Sequence, residues 1–573
     1  MLTFLVDRLC GNFDNERLNT KCQRSDPMKA FRITTKFKGL FIIAAILLIS
    51  ASFLLFSSAT QDNSQYKEWG DVEFGCTSIQ VGKLASTDGS VITCHTCDGN
   101  YRTWVKIEPP AEHFEGAMAK IYTGLMHTET SWDLRGITEK GEIPQVKKTY
   151  AFLNTAYPNM NEHQLAIGET TIGGRRELRN QEGMFMIEEL ERIALQRCTN
   201  ARDAIRLIGK LVKEYGYGDG GECITIADKK EVWHFEIFGE GLLKKGAIWA
   251  AVRIPDDHIG ISANIPRIAE LDLNDPDHYL ASDNVFTYAE KKGWWDPNSG
   301  EPFKFWKAYS GRKPFSSREY FVFNALAPSL NLDFEAEELP FSVKPDNKVS
   351  VRDVIKMYRE TYAGTDWDMT QNLMVKARRS DEMVKSPIAS PWMSGDMRTL
   401  LNTLKPGVME RYRTIAIAGC SYSHITQCRD WLPDPVGGIS WFAFDNPGQS
   451  ARIPIFAGVT ELPPSFEVCA QHRFRSDSAA WAFRRANKLA TFKWGQAKEH
   501  IEKAIKQFEE KAFTDLPDIE KKVLELYNGG KTEEDILKAK QYLTKYTNDF
   551  ARAAINKYWE LGDKFWAFLA RGY

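Results

Sequence analysis

The chain has 573 residues, with 74 basic against 76 acidic side chains, a net charge of −2 and 43% hydrophobic residues. This is a folded protein longer than one typical domain, and its charge balance excludes the basic field that nucleic acid requires; no nucleic-acid-reading motif is present either. Aromatic residues make up 12%, with 16 tryptophans, which suits a large core and a cleft lined by rings.

The amino end carries Lys29, Arg32, Lys36 and Lys38, followed over 40–56 by an uncharged run that is apolar apart from two serines. Such a run is just long enough to span a bilayer core, which takes about 17–25 residues. The positive-inside bias assigns residues 1–38 to the cytoplasm and 39–56 to a transmembrane signal anchor or signal peptide. Everything beyond then lies on the non-cytoplasmic side, membrane-tethered or, after cleavage near Ser57-Ser58-Ala59, secreted or luminal. Residues 57–75 are polar and read as a linker or propeptide.

Gly75-Cys76 follows, at the mouth of a predicted hairpin whose strands cover 77–81 and 90–94. A cut before Cys76 would leave a thiol nucleophile and an α-amine base on one residue, with reference pKa values of about 8.5 and about 7.7–8.0. Glycine before the cysteine gives the backbone the freedom to bring the thiol to the preceding carbonyl.

Further along, 184–197 and 201–215 carry apolar residues at helical spacing, with Asn200 as N-cap of the second. Residues 222–227 and 231–238 straddle Asp228-Lys229-Lys230 as an antiparallel hairpin, and His234 on the second strand reads as a hydrogen-bonded strand histidine. From Asp477 the pattern turns helical over 479–511, 517–527, 532–546 and 549–570, broken at Asn528-Gly529-Gly530. The charges of this tail, such as Lys503, Glu509, Glu510 and Lys511, suit a solvated helix face. Its Trp559, Phe565, Trp566 and Phe568 suit packing on the preceding domain.

Of the ten cysteines, Cys10 and Cys22 precede the apolar run and eight follow it. With Cys76 set aside an odd number remains, so they cannot all pair within one chain. Cys94-x-x-Cys97 admits a redox or zinc reading, completed by Cys420 and Cys428, but no second close pair has metal-type spacing.

Several segments, in this order, resemble one family. They are Cys76-Thr77 with Val81-Gly82-Lys83 and Ala85-Ser86-Thr87-Asp88-Gly89-Ser90; Met160-Asn161-Glu162-His163 through Gly168-Glu169-Thr170-Thr171; Arg253-Ile254-Pro255-Asp256-Asp257; and Ser262-Ala263-Asn264-Ile265-Pro266. Ser421-Tyr422-Ser423-His424, Gly437-Gly438-Ile439-Ser440-Trp441 and Trp481 to Asn487 complete the set. Together they resemble the dipeptidase A and secernin family of N-terminal-nucleophile (Ntn) cysteine hydrolases. The resemblance implies an α+β fold, the four-layer αββα Ntn sandwich, over 76–476, with a C-terminal helical region over 477–573 and the N-terminal transmembrane segment ahead of it.

It also implies roles. Cys76 is the nucleophile, Asp98 positions the new α-amine, Asn161 donates to the oxyanion, Asn264 is a second polar group near the thiol, and Arg318 matches a late arginine. Where many relatives place an arginine three residues before the aspartate, this chain has His95, which is shorter and only partly charged, so activity is expected to depend more on pH. The implied function is a dipeptidase acting on dipeptides or short peptides, with no metal or organic cofactor. The membrane contact falls on 39–56, no nucleic acid is involved, and homo-oligomerisation is left open. The alternatives are another Ntn amidohydrolase, of acylated amines or conjugated bile acids, and an inactive secernin-like tethered protein. A papain-like protease lacks the expected residues after the cysteine.

Overall fold

The computed structural model describes residues 75–242 and 244–571. The expected segments 1–38 and 39–56, and nearly all of 57–75, lie outside the described residues. Among the described ones no helix is long and apolar enough to cross a membrane.

The body is mixed α/β, with antiparallel sheets and a helical C-terminus. The expected first hairpin forms from Ser78–Val81 and Val91–Asp98, which pair antiparallel with Val81 opposite Ile92. These two strands sit inside a seven-stranded sheet. Ser78–Val81 also pairs with Ile259–Ser262, and Val91–Asp98 pairs with Cys420–Cys428. The second expected hairpin, Gly221–Ala227 with Val232–Gly239, lies in an eight-stranded sheet beside Ala166–Ile172.

The two sheets face each other, with Val91–Asp98 packed on Ala166–Ile172 and Gly221–Ala227. The seam between them is partly polar. Ser78 and Thr93 hydroxyls both meet the Thr225 hydroxyl, at 2.7 and 2.6 Å, and each buried hydroxyl is thereby satisfied. At Gly168 the sheets approach so closely that a Cβ would lie 2.0 Å from the Cys94 carbonyl oxygen, so only glycine fits.

Helices cover both sheets. Ala201–Tyr215 packs on the eight-stranded sheet through Ala204, Ile205, Ile208, Leu211 and Val212, the apolar stripe read from the sequence, and Asn200 caps it by accepting from the Asp203 N–H. Ile187–Arg197 precedes it. The C-terminal helices Ala479–Phe492, Trp494–Tyr527 and Glu533–Ala570 pack on the strands at 439–444 and 453–456 of the other sheet.

The tail differs from expectation in three places, the first being that the expected helix over 479–511 is broken at Lys493, whose non-helical backbone (φ −137°) separates Ala479–Phe492 from Trp494–Tyr527. Pro517 lies inside Trp494–Tyr527 rather than ending a helix: the missing N–H costs one backbone bond, about 3 kcal/mol, against the burial of Phe508, Ala512, Ile519 and Val523 on the same helix. Thr547 and Asn548 likewise do not break Glu533–Ala570, because the Thr547 hydroxyl donates to the Pro454 carbonyl at 2.9 Å and is buried by it.

Candidate functional site

Cys76 stands just before the first strand, buried at 3% exposure, and the groups around it come from six separate stretches of chain. Arg318, at the start of the helix Ser317–Leu326, is fully buried. Its guanidinium donates to the carbonyls of Gly75 (3.4 Å) and Cys76 (2.9 Å), to the Thr77 hydroxyl (3.0 Å), to the Ala263 carbonyl (2.9 Å) and to Asn264 Oδ1 (2.9 Å). The helix start is itself fixed by a capping box between Ser316 and Glu319, so the arginine is presented from a rigid turn.

Asn264 has left-handed backbone (φ 70°), which turns its amide toward the chain before Cys76. Its Nδ2 donates to the Thr171 carbonyl at 2.7 Å. A Cβ built on Gly75 would lie 2.4–2.5 Å from the Asn264 amide atoms, so the glycine is required by this side chain.

Asp98, at the end of its strand, accepts from the Thr96 hydroxyl at 3.1 Å, and Thr96 in turn accepts from the Thr77 N–H at 2.9 Å. Its strongest partner is Arg413, whose Nη2 lies 2.7 Å from Asp98 Oδ2 and also donates to the Gly75 carbonyl. Both side chains are almost completely buried. Arg413 carries no local signal, since it sits in an irregular stretch 315 residues from Asp98.

His95 projects from the same strand, fully buried, with Nδ1 2.6 Å from the Glu169 carbonyl oxygen. Burial lowers its pKa to about 4, so the ring is neutral at neutral pH. The expected pH dependence near neutrality therefore has no source in His95. A buried cation does stand in this group, at Arg413 against Asp98.

Glu169, quoted in the resemblance but given no role there, lies beside the thiol, with a carboxyl oxygen within 4.8 Å of Cys76 Sγ, and burial raises its pKa. Burial also pushes the Cys76 thiol up, with Glu169, Cys97 and Asp98 adding to it. The thiol is thus kept protonated while the bond before it is intact. Cys76 Sγ, a ring nitrogen of His95 and a carboxyl oxygen of Glu169 lie within 4.8 Å of one another, the one set of this kind among the described residues able to hold a metal ion.

Asn161 is placed differently. Its Nδ2 donates to the Leu195 and Cys198 carbonyls, both at 2.8 Å, and its Oδ1 accepts from the His163 and Leu165 N–H groups. That amide ties the turn before Ala166–Ile172 to the end of Ile187–Arg197, and none of its bonds goes to the group around Cys76. His234 is satisfied by Glu236 at 2.9 Å. Cys94, Cys97, Cys420 and Cys428 are all buried free thiols.

The arrangement can grip one backbone carbonyl with two guanidiniums beside a buried thiol, which suits acyl transfer at that carbonyl. A family model described as Peptidase family C69 matches residues 75–507. A protein named probable dipeptidase from Latilactobacillus sakei is 26% identical over 410 residues, 68% of this chain and 76% of its own. One of the same name from Salmonella dublin is 26% identical over 411 residues, 68% and 82% respectively. A probable dipeptidase B from Lactococcus lactis subsp. lactis is 25% identical over 414 residues, 68% and 76%. The matched span opens at Gly75, one residue before the buried thiol, and runs through most of the folded body: the chain belongs to peptidase family C69.

Proposed function

We propose that this peptidase is a cysteine dipeptidase of the Ntn type, built on the αββα sandwich of that class and activated by a cut between Gly75 and Cys76. The reading is carried by one observation above the rest: the Gly75 carbonyl, the bond that would be cut, is held by Arg413 and Arg318, with the Asn264 amide packed against Gly75. A buried backbone carbonyl gripped by two cations is polarised toward attack, and the nucleophile is the next residue.

In the mature form the Cys76 α-amine takes the thiol proton as sulfur attacks the scissile peptide carbonyl. The tetrahedral oxyanion collapses to a thioester as the amine passes its proton to the leaving nitrogen. Water, deprotonated by the same amine, then releases the acid and restores the thiol. Asp98, anchored by Arg413 and Thr96, holds the ammonium form of the amine. Asn264 supplies the oxyanion donor, since Asn161 spends its amide on Leu195 and Cys198. The membrane tether over 39–56, with the catalytic part on the non-cytoplasmic side, belongs to the proposal on the strength of the sequence.

The test is Cys76→Ser assayed on a panel of unblocked dipeptides. The variant keeps its fold and loses turnover by orders of magnitude; hydrolysis at the wild-type rate contradicts the assignment.

A further inference from the structure

Beside the Cys76 sulfur two fully buried polar atoms have no hydrogen-bond partner: Nε2 of His95 and Oε2 of Glu169. The other nitrogen of His95, Nδ1, lies 2.6 Å from the Glu169 carbonyl oxygen. A contact that short to a carbonyl takes the ring proton, so the lone pair stands on Nε2. The carboxyl of Glu169 is divided in the same way. Oε1 accepts from the Thr171 hydroxyl at 3.3 Å, whereas the unpartnered Oε2 is turned to His95, 3.7 Å from its ring. Buried polar atoms are rarely left unpaired, and these two flank a nucleophilic sulfur.

The donors converge. One atom each from Cys76, His95 and Glu169 lies within 4.8 Å of the other two. A tetrahedral zinc ion, with Zn–S of about 2.3 Å and Zn–N and Zn–O of about 2.0–2.1 Å, sets its ligands roughly 3.3–3.6 Å apart. The three side chains therefore close on an ion by drawing in little more than about 1 Å. The donor set is one sulfur, one imidazole nitrogen and one carboxylate oxygen, which suits zinc and not the oxygen-seeking calcium or magnesium. A carbonyl holding the far nitrogen of the ring is the support that a metal-bound histidine ordinarily has.

Charge favours the same ligand. The arginines of the site are directed elsewhere, Arg413 at Asp98 and the Gly75 carbonyl, and Arg318 at the Gly75, Cys76 and Ala263 carbonyls, Thr77 and Asn264. A thiolate and a carboxylate side by side in a buried site repel one another, and a divalent cation between them, with a neutral imidazole, leaves the group without net charge.

We propose that Cys76, His95 and Glu169 form a zinc site whose occupancy blocks the thiol, so that zinc switches the protein off reversibly. As the S–Zn bond forms, the thiol proton leaves to solvent, and the sulfur electron pair needed for attack on a carbonyl is held by the metal. Water takes the fourth position of the ion. The ion is an inhibitor, not a cofactor of the hydrolysis. The site goes beyond the dipeptidase reading and does not depend on it, since binding needs only the thiol and its two neighbours.

The test uses the full chain as purified, stripped with a chelator. Calorimetry with zinc chloride is expected to find a site that His95→Gln and Glu169→Gln each weaken about 100-fold or more, because loss of a group that merely supports a ligand already costs about 10–100-fold. Cobalt(II) in place of zinc reports on the sulfur: the wild type is expected to show sulfur-to-cobalt charge-transfer absorption that Cys76→Ser lacks. No zinc binding at millimolar concentration, no such absorption in the wild type, its survival in Cys76→Ser, or wild-type zinc affinity in either of the other variants overturns the inference. Hydrolysis of Ala-Ala is followed in parallel, where one equivalent of zinc is expected to stop turnover and a chelator to restore it; undiminished turnover by the zinc-loaded chain also overturns the inference. Turnover without the cobalt signature removes the metal site and leaves the dipeptidase, whereas the signature without any turnover removes the dipeptidase and leaves the metal site.

Discussion

Replacing Gly75 by alanine probes the site at the bond that activation would break. The added Cβ would lie 2.4 Å from Asn264 Oδ1 and 2.5 Å from its Cγ and Nδ2, distances that real Cβ atoms essentially never show. Asn264 cannot simply swing aside, because Oδ1 accepts from Arg318 at 2.9 Å and Nδ2 donates to Thr171 at 2.7 Å. Moving it forfeits one bond to a charged group, about 1.5–3 kcal/mol, and one neutral bond, about 0.5–1.5 kcal/mol. If the amide is needed where it stands for the cut, a loss of about 3 kcal/mol slows cleavage about 100-fold, at 1.36 kcal/mol per decade. The assay follows the mass of freshly expressed Gly75→Ala and wild-type chains over time. An alanine variant that is cut before Cys76 at the wild-type rate refutes the reasoning.

Two further perturbations follow from the same geometry. Arg413→Gln leaves Asp98 buried without its counter-charge, and a chemical denaturation curve should lose about 3–5 kcal/mol, the usual cost of breaking a buried pair by removing one partner; a loss under 1 kcal/mol contradicts the pairing. His95, held near pKa 4 by burial against an ordinary 6.5, stays neutral when folded while the unfolded chain binds a proton below pH 6.5. Stability attributable to it is therefore complete above pH 6.5 and falls by about 3 kcal/mol as pH drops to 4. Buried Glu169 has the opposite sign, and His424, also lowered by burial, the same sign, so the comparison is wild type against His95→Gln. The variant should lose about 3 kcal/mol less than wild type over that range, and parallel curves contradict the assignment.

Much of the frame could be read from local pattern. The alternation around Asp228-Lys229-Lys230 gives the hairpin, and the stripe Ala204, Ile205, Ile208, Leu211, Val212 with its Asn200 cap gives the helix, because each rests on neighbours in sequence. The helical tail was legible as helix, with its break at Asn528-Gly529-Gly530, but not in the breaks expected at Pro517 and Thr547, which tertiary packing tolerates and no window of sequence reports. At the site, Cys76, His95, Asp98, Asn264 and Arg318 were all singled out from the chain and lie around one point. Arg413 was not, since an arginine in an irregular stretch carries no local signal and its partner is 315 residues away.

The most direct measurement is the intact mass and first residue of the hydrolytically active form, taken on the fraction that turns over a dipeptide. The account predicts a chain beginning at Cys76 with a free amine. An active fraction that still carries Gly75 joined to Cys76 would contradict it.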